Sequence, residues 1–348
     1  NVVWAKSAGG TAEDEANGIS VDVNGNIFVT GHFYSPAITF GSTTLFNPVT
    51  NGSSSDVFIT KYDALGNVLW AKGAGGVAED AGSGIGSDQN GNAYLSGAFF
   101  SSSITFGSTI LTNADNSGST RDLFIVKYDG SGTVAWAKGY GDALDDLGQA
   151  ISVDATGNSF MTGNFESTSI VFGIYTLTNA GARDFFIAKH NSSGNVDWAR
   201  GAGGTIREFG ISVSNDPAGN SYVTGAFESP SVTFGTTTLT NVGVRNIFAV
   251  KYSALGNVIW AESAGGTSSD FSYGITADAN GNSYVTGKFY SSAISFGSVT
   301  LTNTGANTAD VFVFKLDPSG NGLWGQIAGG TGGFNDETAS SIDVDALG

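Results

Sequence analysis

Carboxylates supply most of the chemistry available to this chain. Asp14, Asp80, Asp146 and Asp270 each stand five residues before an isoleucine, with Glu13, Glu15, Glu79, Asp145 and Asp336 close by. Clustered carboxylates suit a hard cation such as Ca2+. Recurrence at one phase of a repeat equally suits a structural duty, the acceptance of backbone N–H groups at a loop corner. Glu166 and Glu228 raise a second chemistry, since paired acids can cleave a glycosidic bond. Nothing further assembles into a catalytic set. His32 and His190 are the only histidines and fall in different phases, cysteine is absent, and no Ser-His-Asp set, His-rich spacing or nucleotide-binding glycine loop is present. The expectation is a protein without catalysis and without a cofactor, Ca2+ aside. Asp22-Val23-Asn24-Gly25-Asn26 resembles the start of a calcium loop but lacks the distal Glu, and reads as a turn.

Binding is better sought where repeats disagree. Two phases vary freely: His32, Ala98, Asn164, Ala226 and Lys288, then Tyr34, Phe100, Glu166, Glu228 and Tyr290. They could line one rim with an irregular aromatic and charged surface for a protein or glycan. His32, Tyr34, Phe100, Asn164, Glu166, Glu228, Lys288 and Tyr290 are the candidate binding residues, and Asp14, Asp80, Asp146 and Asp270 the candidate Ca2+ ligands.

The elements that position these residues follow from a repeat. All six tryptophans, Trp4, Trp70, Trp136, Trp198, Trp260 and Trp324, sit in one recurring phrase at intervals of 66, 66, 62, 62 and 64 residues. Such a period marks a repeat architecture. Within each unit, Gly18–Asp22 alternates apolar and polar residues, an Asp-to-Gly turn follows, and Asn26–Gly31 pairs back across it. Asp56–Tyr62 forms a third strand, a second turn of like chemistry closes it, and the Trp phrase is the fourth. Between strands two and three, Ile38–Leu45 and its copies predict an extra hairpin, with Ile38, Phe40 and Leu45 on one face. The fold is therefore all-β: a β-propeller of four-stranded antiparallel blades, each with an inserted hairpin. Repeat units run over about 5–70, 71–136, 137–198, 199–260 and 261–324 in one body spanning 1–348. Residues 325–348 form a partial unit and residues 1–6 a possible closing strand, so the parent carries six or seven blades and this chain resembles part of a longer array. Asp216-Pro217 reads as a two-residue extension of one turn, which places the fourth unit's first strand at Ile211. The tryptophans are expected to be buried between blades, and the lysines ending each third strand (Lys61, Lys127, Lys189, Lys251, Lys315) to pair between blades or face solvent.

Composition narrows the partners. A formal charge of −17 disfavours nucleic acid and anionic membrane surfaces. No apolar run reaches the roughly 18 residues of a membrane span.

The phrases Trp-Ala-Lys with Gly-Gly downstream, Gly-Ile-Ser-Val-Asp followed by Gly-Asn, Tyr-Val-Thr-Gly at 222–225 and 284–287, and Asp-Val-Phe-Ile with Lys-Tyr-Asp resemble the bacterial SBBP beta-propeller repeats. The resemblance runs through nearly the whole chain. It implies a secreted or cell-surface protein of a Gram-negative, Bacteroidota-like bacterium, acting as a structural or adhesive interaction module.

Overall fold

The computed structural model describes residues 2–115, 117–305, 308–330 and 337–345. Among them are five four-stranded antiparallel sheets and five two-stranded hairpins. In the first repeat the strands are β1 (Asp14–Val21), β2 (Ile27–Phe33), β3 (Ala37–Phe40), β4 (Thr43–Phe46), β5 (Asp56–Tyr62) and β6 (Val68–Ala74), and the sheet order is β1-β2-β5-β6. This is the expected blade with β3-β4 as the inserted hairpin. Ile38 faces Leu45 and Phe40 faces Thr43, the register read from the sequence. Phe40 packs on Phe58 of the third strand at 5.1 Å, so the hairpin folds back on its own blade.

Turn chemistry fixes the blade. The Asp22 carboxylate accepts the N–H groups of Asn24 and Asn26 at 2.9 Å, and the Asn26 amide binds its other oxygen at 2.8 Å. Gly25 closes the turn at φ 76°, a conformation glycine takes without a Cβ penalty. Asp63 holds the turn between the third and fourth strands in the same way. The loop that resembled a calcium loop thus spends its carboxylate on its own backbone.

By contact clustering the chain falls into two compact units: 1–161 with 165–176 and 189–197, and 162–164 with 177–188 and 198–348. Within each unit, successive blades meet through the same device. Trp70 of the first blade donates its indole N–H to the Gly130 carbonyl, in the third-to-fourth-strand turn of the second, and stacks on Tyr128 at 5.9 Å. Trp4, Trp136, Trp198 and Trp260 repeat the bond to Ala64, Ser192, Ala254 and Pro318. Trp324 meets no such turn among the described residues and is 40% exposed. The recurrent lysines are less solvated than the solvent-facing reading allows. Lys61 is buried over the Phe28 ring, and its ammonium reaches the Gly91 carbonyl at 3.1 Å and Asp22 at 3.8 Å.

Two details depart from the sequence reading. The turn at Asp216-Pro217 is not extended: Asp216 and Asn220 pair as Asp22 and Asn26 do. Strand register puts Val213 opposite Val223, as Ile19 lies opposite Val29, so Val213, not Ile211, is the equivalent position. A proline beside an Asp imitates an insertion where the turn has its ordinary length. In addition, residues 337–343 lie against the fifth blade as a first strand would: Glu337 N–H bonds the Ala309 carbonyl, and Ile342 N packs 3.0 Å from a Cβ position on Gly274. Asp336 lies outside the described residues.

Candidate binding rim

Backbone hydrogen bonds build the rim from three loop positions per repeat. The residue after the second strand donates to the residue preceding the first: Tyr34 to Glu13, Phe100 to Glu79, Glu166 to Asp145, Glu228 to Arg207 and Tyr290 to Ser269. The acid that opens each first strand then donates to the residue preceding the third strand of the blade before it: Asp80 to Ser55, Asp146 to Arg121, Glu208 to Arg183 and Asp270 to Arg245. Main-chain bonds thus hold the rim, and the side chains are left to vary.

Below the rim sit the recurrent acids. Asp80 accepts Ser101 N–H at 3.1 Å and Ser101 Oγ at 2.7 Å, and Asp14, Asp146 and Asp270 hold Ser35, Ser167 and Ser291 similarly. The corrected register shows that Glu208 belongs to this set, bonding Ser229 N–H and Gly204 N–H. The constant spacing of ten residues from each Trp could have revealed it. Among the described residues no group of three or more His, Cys, Asp or Glu is placed to hold a metal ion.

A second buried acid, present in four of the five repeats, escaped the sequence reading. Asp56, Asp122, Asp184 and Asp310 open the third strands, and a Cβ placed on Gly75, Gly141, Gly203 or Gly329 would fall within about 2 Å of their carboxylates. One oxygen of each is buried without a hydrogen-bond partner. Burial pushes Asp56 and Asp122 up to about 7, and Asp80 and Asp146 up to about 6. The negative charge of Asp80 raises Asp56 further. Asn246, the amide analogue of a protonated Asp, fills the same position in the fourth repeat against Gly265.

In the first unit, the Tyr34 hydroxyl donates to Glu79 at 3.1 Å, and His32 meets the Tyr34 ring edge-on at 5.6 Å. The Arg121 guanidinium lies 4.8 Å over Phe100 and pairs with Asp145 at 3.0 Å. A cleft of about 290 Å³ opens among His32, Tyr34, Glu79, Phe100, Arg121 and Gln149. Three sequence candidates therefore share one cleft. Glu166 follows the second strand of the third repeat, at the same rim position. Asn164 does not belong there: it is 1% exposed within its strand, as Ala98 and Ala226 are also buried, so this phase is enclosed in three of five copies.

In the second unit the rim is a ladder of alternating cations and rings. Arg183 lies 5.5 Å from Phe209, and Arg245 lies 5.3 Å from Phe209 and 4.6 Å from Phe271. Lys288 lies 5.7 Å from Phe271 and 5.4 Å from Tyr290. Each contact lies within the range of ring–cation attraction. Glu228 is bound by Arg245, with Nε at 3.1 Å from Oε1. The arginines escape a sequence reading because they precede the third strand in only three repeats, where they look like loop filler.

Comparison with known proteins agrees with the blade topology. The family model described as beta-propeller repeat, SBBP, matches residues 3–32 and 259–288. These two stretches are similar to SBBP beta-propeller repeats. An uncharacterized WD repeat-containing protein of Acanthamoeba polyphaga mimivirus is 26% identical over 93% of this chain, and the regulatory protein FlaEY of Caulobacter vibrioides is 26% identical over 40%. The chain spans 28% and 14% of those relatives' lengths. Among solved structures, a Bacteroides caccae protein of unknown function aligns at TM-score 0.43 with 11% identity, covering 90% of this chain and 82% of that one. The Neurospora crassa Pan2 WD40 domain aligns at TM-score 0.43 with 10% identity, covering 96% and 84%.

Proposed function

We propose that this repeat protein is a non-catalytic interaction module, displayed outside the cell or at its surface, that binds partners through the rim. The observation carrying this reading is the split between frame and rim. Main-chain bonds and corner acids repeat from blade to blade, while the pair of side chains presented at the two variable phases is a different combination in each repeat. A scaffold of this kind can vary contacts without changing fold. Recognition of a protein, with aromatic and arginine side chains at its centre, fits the residues gathered there. Glu228 is engaged by Arg245, which disfavours its use as a free catalytic acid. The surface location is what the resemblance to SBBP repeats implies.

The test is a binding screen against surface and secreted proteins of the source cell with the intact chain and two variants, Tyr34→Ala/Phe100→Ala and Arg245→Gln/Lys288→Gln. A partner lost with either rim variant, and kept with Lys72→Gln on an exposed fourth-strand position, supports the reading. Turnover of an acidic polysaccharide that disappears in Glu166→Gln would overturn it in favour of an enzyme.

A further inference from the structure

Two successive joints of the first unit carry the same set of side chains, except that one member is missing from the first. At the second joint three residues meet. Phe100 follows the second strand of the second repeat, Arg121 precedes its third strand, and Asp145 precedes the first strand of the repeat after it. Arg121 lies 4.8 Å over the Phe100 ring and pairs with Asp145 at 3.0 Å. The corresponding residues at the first joint are Tyr34, Ser55 and Glu79. Backbone pairing makes the correspondence firm: the Asp80 N–H bonds the Ser55 carbonyl as the Asp146 N–H bonds that of Arg121. Arginine also precedes the third strand in the next two repeats, as Arg183 and Arg245. The first joint thus has the ring and the carboxylate, with a serine where the arginine stands elsewhere.

Glu79 is left short of a cation by this difference. The Tyr34 hydroxyl donates to its Oε1 at 3.1 Å, and among the described residues no lysine or arginine pairs with it. The nearest basic groups are engaged elsewhere. Arg121 is held by Asp145 through Nε as well as the terminal nitrogen, and His32 turns its Nδ1 to the Asn17 amide at 3.2 Å. Burial, and after it the negative charge of Glu79, raises the Tyr34 hydroxyl above its ordinary value, so the field at this end of the cleft is negative. Ser55, Tyr34, Glu79 and Phe100 all line the cleft of about 290 Å³ described above. That volume lies just under the range of about 300–1,000 Å³ usual for small-molecule sites, and suits a single anchoring side chain.

We infer that this cleft receives a basic side chain, lysine or arginine, from a partner protein, which supplies from outside the cation that Arg121 supplies at the next joint. The charge meets the other oxygen of Glu79 and the Tyr34 ring, as Arg121 meets Asp145 and Phe100. The aliphatic stem lies along the apolar wall of the cleft while the charged head stays with the carboxylate. The formal charge of −17 adds long-range attraction for a basic partner. The inference rests on the rim reading above and adds the group by which a partner is held.

The intact protein is titrated with short Gly-Ser peptides that differ only at a central lysine, arginine, norleucine or glutamate, and binding is followed by amide NMR. A basic peptide is expected to shift the signals of Ser55, Glu79 and Phe100, and the relative affinity of the two basic peptides tells lysine from arginine. Binding should weaken at least tenfold in Glu79→Gln, weaken with added salt, and stay unchanged in Lys72→Gln. Glu79 is exposed, so its substitution leaves the joint intact; melting curves verify this. No shift with either basic peptide at millimolar concentration overturns the inference. Equal binding of the norleucine peptide, tighter binding of the glutamate peptide, or binding unchanged in Glu79→Gln overturns it as well. A screened partner lost in Tyr34→Ala/Phe100→Ala while neither basic peptide binds would leave the rim reading standing and remove only this inference.

Discussion

Trp70 and Gly132 require each other across the first joint. Gly132 turns the chain at φ 81°, and a Cβ there would stand 2.8 Å from the Trp70 ring. The pair recurs as Trp4 with Gly66, Trp136 with Gly194, Trp198 with Gly256 and Trp260 with Gly320. Gly132→Ala combines a strained backbone, costing about 1–3 kcal/mol, with a clash against the ring. It should lower the melting temperature more than Gly73→Ala, where a Cβ meets nothing closer than 3.6 Å.

Position along the chain should grade the tryptophans. Trp70→Ala removes a buried ring and an indole bond, at about 3–5 kcal/mol. Trp324→Ala removes a ring that is 40% exposed and has no turn beneath it among the described residues, and should cost less, about 2 kcal/mol by the same burial argument. Thermal melts of the two variants check this, and equal losses would contradict the assignment of Trp70 to an interblade joint.

Stability should depend on pH through opposite groups. Asp56, Asp80, Asp122 and Asp146 are held above the ordinary carboxylate value, so their favourable contribution is complete below about pH 4 and fades as pH rises through 6 to 7. Asp56→Asn and Asp122→Asn copy the natural Asn246. Each should raise the melting point at pH 8 and change little at pH 5. The gain should be about 1–2 kcal/mol, because each tenfold change in proton affinity is worth about 1.4 kcal/mol and the site relaxes in part around the charge. His190 works the other way. Burial against Tyr140 pushes it down to about 3, so the fold loses stability as pH falls below 6.5. His190→Tyr should therefore help at pH 5 and matter little at pH 8.

The corner acids predict a response to chelators. Asp80, Asp146 and Asp270 have serine and backbone donors at their carboxylates, so EDTA is expected to leave the melting temperature unchanged. Ser101→Ala should instead lower it, by about 1–3 kcal/mol, because Asp80 keeps its burial and loses a donor. A fall of several degrees in EDTA would restore Ca2+ as a structural ligand.

The blade was legible because its signals are local. The Asp-to-Gly turns and the Ile38–Leu45 alternation each act within a few residues, the tryptophan spacing shows the same local pattern returning, and the register of Ile38 with Leu45 followed from the alternation. What escaped depended on contacts between repeats. Lys61 reads as a strand end that either faces solvent or pairs between blades until the next blade is seen to cover it, and Asp56 reads as no more than the start of the third strand until Gly75 closes over it. The rim was half legible. Variation marked Tyr34, Phe100 and Lys288, but Arg121 and Arg245 reach it from a loop some 20 residues away in sequence. Pro217 drew attention to a turn of ordinary length and hid Glu208.

The joints have a further consequence for how such a chain diversifies. The tryptophan N–H groups and the ammonium groups of Lys61, Lys127 and Lys251 reach across to main-chain carbonyls of the following repeat. A carbonyl is the same whichever side chain it belongs to. Apart from the turn glycine that each of these tryptophans requires, which all five turns carry, these bonds join neighbouring repeats without reading identity, so repeats can be reordered or duplicated by recombination while remaining compatible. Each rearrangement would re-sort the surface presented to partners at little cost to the frame.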